Sequence, residues 1–308
     1  MNPPDAMAQP LERDGVGAST IALPPGPWQT LLEFLVHRFP QVGEAQWRQR
    51  FEDGLVLDEQ QQALRPDAPY LAHSKVHYFR HIQAEPRIPF DEVVVYQDEH
   101  LVVADKPHFL PVTPGGRFVQ ETLLVRLKRK LGLPHLTPLH RIDLETAGLV
   151  AFSVKPSERD RYHALFRNQE VQKQYEAIAP YRPELTFPRT VSSRMEENPL
   201  SFMQMREVAG TPNAHTDLEL LEVQGSLARY RLIPLTGRKH QLRFQMAYLG
   251  LPIVGDRIYP DLLAESSSGR AVDYSNPLRL LAQCLAFTCP ITGTDKHFVS
   301  QQRLQWGR

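Results

Sequence analysis

The residues best suited to chemistry in this 308-residue chain lie together from Pro138 to Val154, in the run PLHRIDLETAGLVAFSV. Its second half is a buried-strand signal: Ala147 and Gly148, then Leu149, Val150, Ala151, Phe152 and Val154. Its first half is polar, with His140, Arg141, Asp143, Glu145 and Thr146 crowding the approach to that strand. A carboxylate and a guanidinium where a loop runs into a sheet are held rigidly yet stay accessible, which is where catalytic groups concentrate. Other common chemistries find no footing. The 12 histidines are scattered, without Cys or carboxylate partners at metal-ligand spacing. There is no Gly-rich phosphate loop and no dinucleotide fingerprint. The 2 cysteines, Cys284 and Cys289, sit in an apolar strand-like run and read as reduced core residues of a cytoplasmic protein. What remains is one marked carboxylate, Asp143, with arginines about it, a site suited to cofactor-free chemistry at an electrophilic carbon. The structural alternative is an Asp143–Arg141 ion pair that only fixes the start of the strand.

Composition bounds the partners. The chain is 42% hydrophobic and 23% charged, as expected of an ordinary soluble globular protein. It has no apolar run of membrane-span length and no signal-peptide core, so no membrane partner is expected. Net charge is zero, with 35 basic and 35 acidic residues, whereas nucleic-acid binders often carry a basic excess. Any such contact must therefore come from local clusters, of which there are two: Arg126, Lys128, Arg129 and Lys130, and Arg238, Lys239 and Arg243.

The elements that must position these groups fall into four stretches. Residues 1–26 are rich in Pro, Gly and Ala without periodicity and read as a disordered tail. Residues 27–82 carry two helical patterns, Leu31 to Phe39 and Glu44 to Phe51, then the turn Asp53-Gly54 and short strands near Val56 and Val76, which suits a small α/β module. Residues 83–89, with Pro86 and Pro89, read as a linker. Residues 90–308 form the second domain. It opens with strands Val93–Tyr96 and Leu101–Ala104 and the sequence Asp105-Lys106-Pro107, where Lys106 is expected to face solvent or serve structure, a phosphate contact being the alternative. An amphipathic helix follows over Glu121–Leu131, with Leu123, Leu124, Leu127 and Leu131 inward and its basic residues outward. A helix over 157–168 with Ser157 as N-cap, a strand from Val171 to Ala179, strands within 184–234, a helix with Leu242, Met246 and Leu249 buried, and a last core strand over Leu278–Phe287 complete the pattern.

Three motifs together resemble the RluA family of pseudouridine synthases. His140-Arg141-Ile142-Asp143-Leu144-Glu145-Thr146-Ala147-Gly148-Leu149 resembles the family run around its indispensable aspartate. Asp105-Lys106-Pro107 and the Pro/Gly-rich loop after it look like the opening motif. Thr236-Gly237-Arg238-Lys239-His240-Gln241-Leu242-Arg243, followed by Gly250-Leu251-Pro252-Ile253-Val254-Gly255-Asp256, resembles the third, with Lys239 where the family usually has Thr. The likeness covers residues 90–300 well. Residues 27–82 loosely resemble the S-four-type RNA-binding module that precedes many members.

The resemblance implies an α+β fold, a mixed and mostly antiparallel sheet with helices packed on it. It implies a monomeric, cofactor-free isomerase, with no metal, that turns uridine into pseudouridine in structured ribosomal or transfer RNA. Asp143 would start the reaction. Tyr175, on the strand, would pack against the target base, and Arg243 would pair with Asp143 and keep it ionised under a stacked base. Arg141 would hold the flipped nucleotide or fill its place, and His140, Lys128, Arg129, Arg238 and Lys239 would contact RNA. Two other classes stay open: a catalytically silent RNA-binding or assembly protein, and a nucleosidase, for which Glu145 is the only nearby second carboxylate.

Overall fold

The computed structural model describes residues 11–80, 85–262 and 273–306. They gather into two compact units: the chain up to Arg87 with Thr113–His135, and Ile88–Val112 with Leu136 onward.

In the first unit, strands β1 (Glu12–Arg13) and β2 (Val16–Gly17) pair as a small hairpin. Strand β3 (Ser19–Ala22) lies beside β5 (Lys75–Tyr78), which also pairs with β4 (Val56–Leu57). Helices α1 (Leu31–Arg38) and α2 (Glu44–Glu52) contribute Leu31, Phe34, Leu35, Trp47 and Phe51 to a core with Val56 and Val76. Thr30 and Glu33 form a reciprocal capping box that starts α1.

Part of the segment read as a disordered tail is therefore ordered: β1, β2 and β3 lie within residues 12–22, while 1–10 lie outside the described residues. Strands of two to four residues carry too little alternation to register, and here pairing with β5 holds β3. Of the stretch read as a linker, residues 83 and 84 lie outside the described residues. Glu85 is anchored, its carboxylate accepting the backbone N–H groups of Val119, Gln120 and Glu121 at 2.8–2.9 Å.

Helix α3 (Leu123–Leu131), capped by Thr122, also falls in this unit, although the sequence reading runs the second domain unbroken through it. The cause is packing: Val125 joins Val119 and Val16, and Lys128 pairs with Glu12 at 2.9 Å.

The second unit holds a 10-stranded sheet. Its strands are β6 (Val93–Gln97), β7 (Leu101–Lys106), β8 (Thr137–Pro138), β9 (Ala147–Ser153), β10 (Gln172–Pro180), β11 (Arg189–Ser193), then, beyond the separate ribbon β12 (Met195–Asn198) with β13 (Ser201–Glu207), β14 (Ala214–Gln224), β15 (Leu227–Pro234), β16 (Leu280–Thr288) and β17 (Asp295–Val299). The order is β11-β14-β15-β10-β16-β9-β7-β6, with β17 on β16 and β8 on β9. Among the described strands only β9 and β16 run parallel, so the sheet is mixed and mostly antiparallel, as expected. Helix α4 (Arg159–Arg167) packs Tyr162 and Leu165 into the core around β9 and β16, and α5 (Gln241–Tyr248) packs Leu242 and Met246 against β10, β14 and β15. Ser157 does not cap α4: a 3-10 turn, Pro156–Glu158, precedes it.

Gly148 shows why the central run needs a glycine. Its φ is +111°, and a Cβ there would lie 2.3 Å from the carbonyl oxygen of Ala282 on the parallel neighbour β16. Any side chain would push the strands apart at the point where the Asp143 loop enters the sheet.

Candidate active site

The Asp143 loop reaches the middle of the sheet through β9, whose residues are all buried. Thr146 donates its N–H back to the carbonyl of Asp143 at 3.2 Å, closing the turn that presents the carboxylate. From the other side comes Arg243 on α5, its side chain only 2% exposed. A long cation is expensive to bury, and the helix is shaped to hold it. Gln241 donates to the carbonyl of His215 and to Thr216 Oγ1, and its amide oxygen accepts from Thr236 and the N–H of Arg238. Gln245 accepts from Thr216 Oγ1 at 2.6 Å and donates to Ser193 Oγ at 3.0 Å. Two glutamines a turn apart thus pin α5 to β14 and its surroundings.

Three carboxylates converge on the Arg243 guanidinium. Asp256 takes it in a bidentate pair, Nε to Oδ2 at 2.9 Å and Nη2 to Oδ1 at 2.7 Å. Asp256 also accepts the N–H groups of Ile258 and Tyr259 at 2.8 and 3.1 Å, so its lone pairs are used within the fold. Glu145 Oε2 accepts from Nη2 at 3.0 Å, and Asp143 Oδ2 from Nη1 at 3.3 Å. The three side chains are 1%, 15% and 28% exposed respectively, so Asp143 is the most exposed of the three. Burial works to lower the Arg243 pKa, but Asp256, then Asp143 and Glu145, raise it, and the guanidinium stays charged. Burial raises the pKa of Glu145, against the pull of Arg243.

Lys106, at the end of β7, is completely buried. Its ammonium donates to the carbonyls of Pro107, Leu110 and Leu144 at 3.1, 2.7 and 3.1 Å, so all three N–H groups are used. Leu144 follows Asp143 directly, and Lys106 thereby braces the loop. Burial lowers its pKa to about 7, with Asp143 and Glu145 opposing the shift. His108 bonds the backbone carbonyl of Glu145 through Nδ1 at 2.7 Å, a second brace. His240, left-handed at φ +54° before α5, sets Nε2 3.9 Å from Asp143 Oδ1 and Nδ1 3.3 Å from the Tyr259 hydroxyl. Burial lowers its pKa although Asp143 pulls the other way.

Tyr175 stands on β10 between Leu232 of β15 and Ala282 of β16, at a register shift after Gln174. It is half-buried, and its phenol pKa is raised by burial and then by the charge of Asp143, so it stays protonated. Asp143, Tyr175 and Arg243 thus gather in one unit about neighbouring strands.

The other sequence-chosen residues divide. Arg141 is exposed with no protein hydrogen bond or ion pair among the described residues. His140 is engaged inside the fold: its ring stacks on Phe166 with centroids 5.0 Å apart, Nε2 accepts the Ala151 N–H at 3.1 Å, and burial pushes its pKa down to about 3. Arg238 is exposed, with Nε on the Asn213 carbonyl at 3.2 Å, and Lys239 lies 3.6 Å from Glu197. Lys128 and Arg129 belong to the first unit, Lys128 paired with Glu12 and Arg129 exposed. Sequence reasoning missed Asp256, Glu145 and Lys106 as parts of one charge cluster; the Gly255-Asp256 pair inside the third motif was the available signal for the first.

Residues 100–248 match the family described as RNA pseudouridylate synthase. A dual-specificity RNA pseudouridine synthase, RluA, of Haemophilus influenzae is 32% identical over 207 residues, 67% of this chain and 90% of that protein. An uncharacterized RNA pseudouridine synthase of Synechocystis is 30% identical over 231 residues, 74% of this chain and 79% of that one. Among solved structures, human RNA pseudouridylate synthase domain containing 4 is 26% identical with a TM-score of 0.52, over 69% of this chain and 88% of that one. The motifs, the mixed sheet and these relatives agree, and the chain belongs to the RluA-type RNA pseudouridine synthases, isomerases that convert uridine to pseudouridine.

Proposed function

We propose that this chain isomerises particular uridines in structured ribosomal or transfer RNA, with Asp143 as the reacting carboxylate. The observation that carries the assignment is the asymmetry around Arg243: Asp256 clamps the guanidinium from within the fold, while Asp143 touches it from the open side. A guanidinium already fixed by Asp256 need not move when a base covers Asp143, so it stabilises the carboxylate without reorganising.

The reaction is an isomerisation. The bond from uracil N1 to ribose C1′ breaks, the base turns, C5 bonds to C1′, and C5 gives up its proton while N1 gains one. The target base must leave its stack to reach the partly exposed Asp143 carboxylate. Tyr175, protonated and half-buried, supplies a flat wall for that base. Arg141, exposed and without a partner among the described residues, stacks on or hydrogen-bonds the displaced nucleotide through its planar guanidinium. Arg238, Lys239 and the exposed Arg129 contribute phosphate contacts. The enzyme is proposed to act as a monomer, and the free thiols Cys284 and Cys289 suit the reducing cytoplasm.

Tritium release from RNA labelled at uridine C5 tests the assignment. Wild-type protein should release tritium and yield pseudouridine. Asp143→Asn should fold normally, its amide oxygen still accepting from Arg243, and lose at least about a thousandfold in rate. Near-normal release by that variant rules out Asp143 as the reacting group. Free uracil among the products points to a nucleosidase, and binding with no product points to a silent RNA-binding protein.

A further inference from the structure

Among the described lysines that are not fully exposed, all but one have their charge met. Lys106 has its three carbonyls, Lys128 has Glu12 at 2.9 Å, Lys155 has Glu99 at 2.6 Å, and Lys296 has Asp98 at 3.4 Å and the Tyr96 hydroxyl at 2.6 Å. Lys173 is the exception. Its ammonium makes one hydrogen bond, to the Thr236 carbonyl at 3.3 Å, and among the described residues no carboxylate lies within 4.0 Å of it. Burial lowers its pKa, and no neighbouring negative charge offsets the shift. A half-buried cation with unused N–H groups costs stability unless something else supplies an acceptor.

Its position says what that acceptor is. Lys173 lies two residues before Tyr175 on β10, and strand alternation gives the two side chains a common face, despite the bulge between them. The ammonium lies 3.8 Å from where a side chain on Gly237 would begin, so the glycine leaves space there. Its charge also contributes to lowering the pKa of His140, the residue before Arg141. The unpaired charge thus stands between the Arg141 segment and the Thr236–Arg238 loop.

We propose that Lys173 is a substrate-binding residue, donating to a phosphodiester oxygen of the RNA beside the flipped uridine. The proposal rests on the functional reading above, since it needs an RNA strand running past Tyr175. A phosphate supplies what the fold withholds: a strong acceptor able to take both remaining N–H groups. The competing role is a structural prop for the Thr236 loop.

The test compares wild type with Lys173→Met, Lys173→Gln and Lys173→Arg by fluorescence-anisotropy titration of a substrate RNA across a salt series, with tritium-release kinetics alongside. Lys173→Gln keeps a donor for the Thr236 carbonyl but loses the charge, so it remains informative if the methionine variant folds poorly. Both neutral variants should weaken RNA binding about five- to tenfold near 0.1 M salt. The slope of log K against log salt should become shallower by about 0.7–0.9, the loss expected for one phosphate contact. KM should rise by a larger factor than kcat falls, and Lys173→Arg should restore the slope. An unchanged slope in the glutamine variant overturns the proposal, whatever happens to Tm. Wild-type protein that makes pseudouridine while the glutamine variant keeps its slope sinks this inference alone. Wild-type protein that binds RNA but makes no pseudouridine sinks the functional reading, and the slope still decides whether Lys173 meets a phosphate.

Discussion

Two groups of basic side chains meet opposite fates in this molecule. On helix α3 in the first unit, four cations cluster in sequence, yet Lys128 is taken by Glu12 and Arg126 is held by Glu121, while Arg129 is exposed. In the second unit Arg243, Lys106, Arg141 and Lys173 are spread over more than a hundred residues of chain, and the fold brings their segments to the Asp143 region. Two of the four cations in the dense cluster are ion-paired within the fold; the dispersed group surrounds a buried scaffold whose most exposed carboxylate is Asp143. Local charge density in a sequence therefore says little about where an anion will bind. Which charges the fold leaves unsatisfied says much more.

The contrast is sharpest where the scaffold is broken. Arg243→Met leaves Asp256, 1% exposed, without its partner. Removing one member of a buried pair costs on the order of 3–5 kcal/mol, so Tm should fall markedly and activity vanish. Arg243→Met together with Asp256→Leu removes both charges and should recover much of that stability while staying inactive, as urea denaturation would reveal. A stable, active Arg243→Met protein would remove the basis for treating this region as a charge scaffold.

Lys106→Met should come next, at about 2–4 kcal/mol, because three carbonyls lose their donor. Its pH dependence is distinctive. The buried lysine gives up its proton near pH 7, an unfolded one near 10.5. Between those values the unfolded state binds more protons, so stability should rise as pH rises through that window. Lys106→Met should lose this slope, measured by denaturation at pH 7, 8 and 9. A slope identical to wild type would mean Lys106 titrates normally.

Arg141→Met tests the open side. With no partner among the described residues to lose, it should leave Tm unchanged and raise KM about tenfold, most for structured RNA. The smallest effects belong to α3. Lys128→Ala should cost at most about 1 kcal/mol of stability through the Glu12 pair and change RNA affinity little, while Arg129→Ala should weaken binding about twofold. If Lys128→Ala weakens RNA binding more than Arg141→Met does, the dense cluster is the RNA surface and the comparison is reversed.

How legible each part was in the sequence follows from how local its cause is. The Asp143 run could be read directly, because the proposed reacting group and its supporting strand are contiguous, and Arg243 followed from a motif that resembles the family's. Asp256 was harder: its role depends on a turn that folds it back onto a guanidinium 13 residues earlier. Glu145 stands two residues from Asp143 in the sequence, and only the turn of the loop brings both carboxylates to Arg243. The face of α5 read from Leu242, Met246 and Leu249 was correct in direction yet omitted Gln241 and Gln245, because polar residues announce burial only through partners on other strands. Helix α3 itself was clear within two residues of its start, but the core that receives it was not, since an amphipathic pattern records that a face is buried and not against what.

The parallel contact of β9 with β16 also fixes an order of assembly. β16 lies between β9 and β10 in space but follows both in the chain, after α5. The pairing of Ala147 with Leu281 and of Tyr175 with Ala282 therefore waits until residues 280–288 have been synthesised. A growing chain on the ribosome can already contain Asp143, Tyr175 and Arg243 and still lack the strand that holds their supports side by side. The enzyme's competence is then tied to a late strand that carries none of its chemistry.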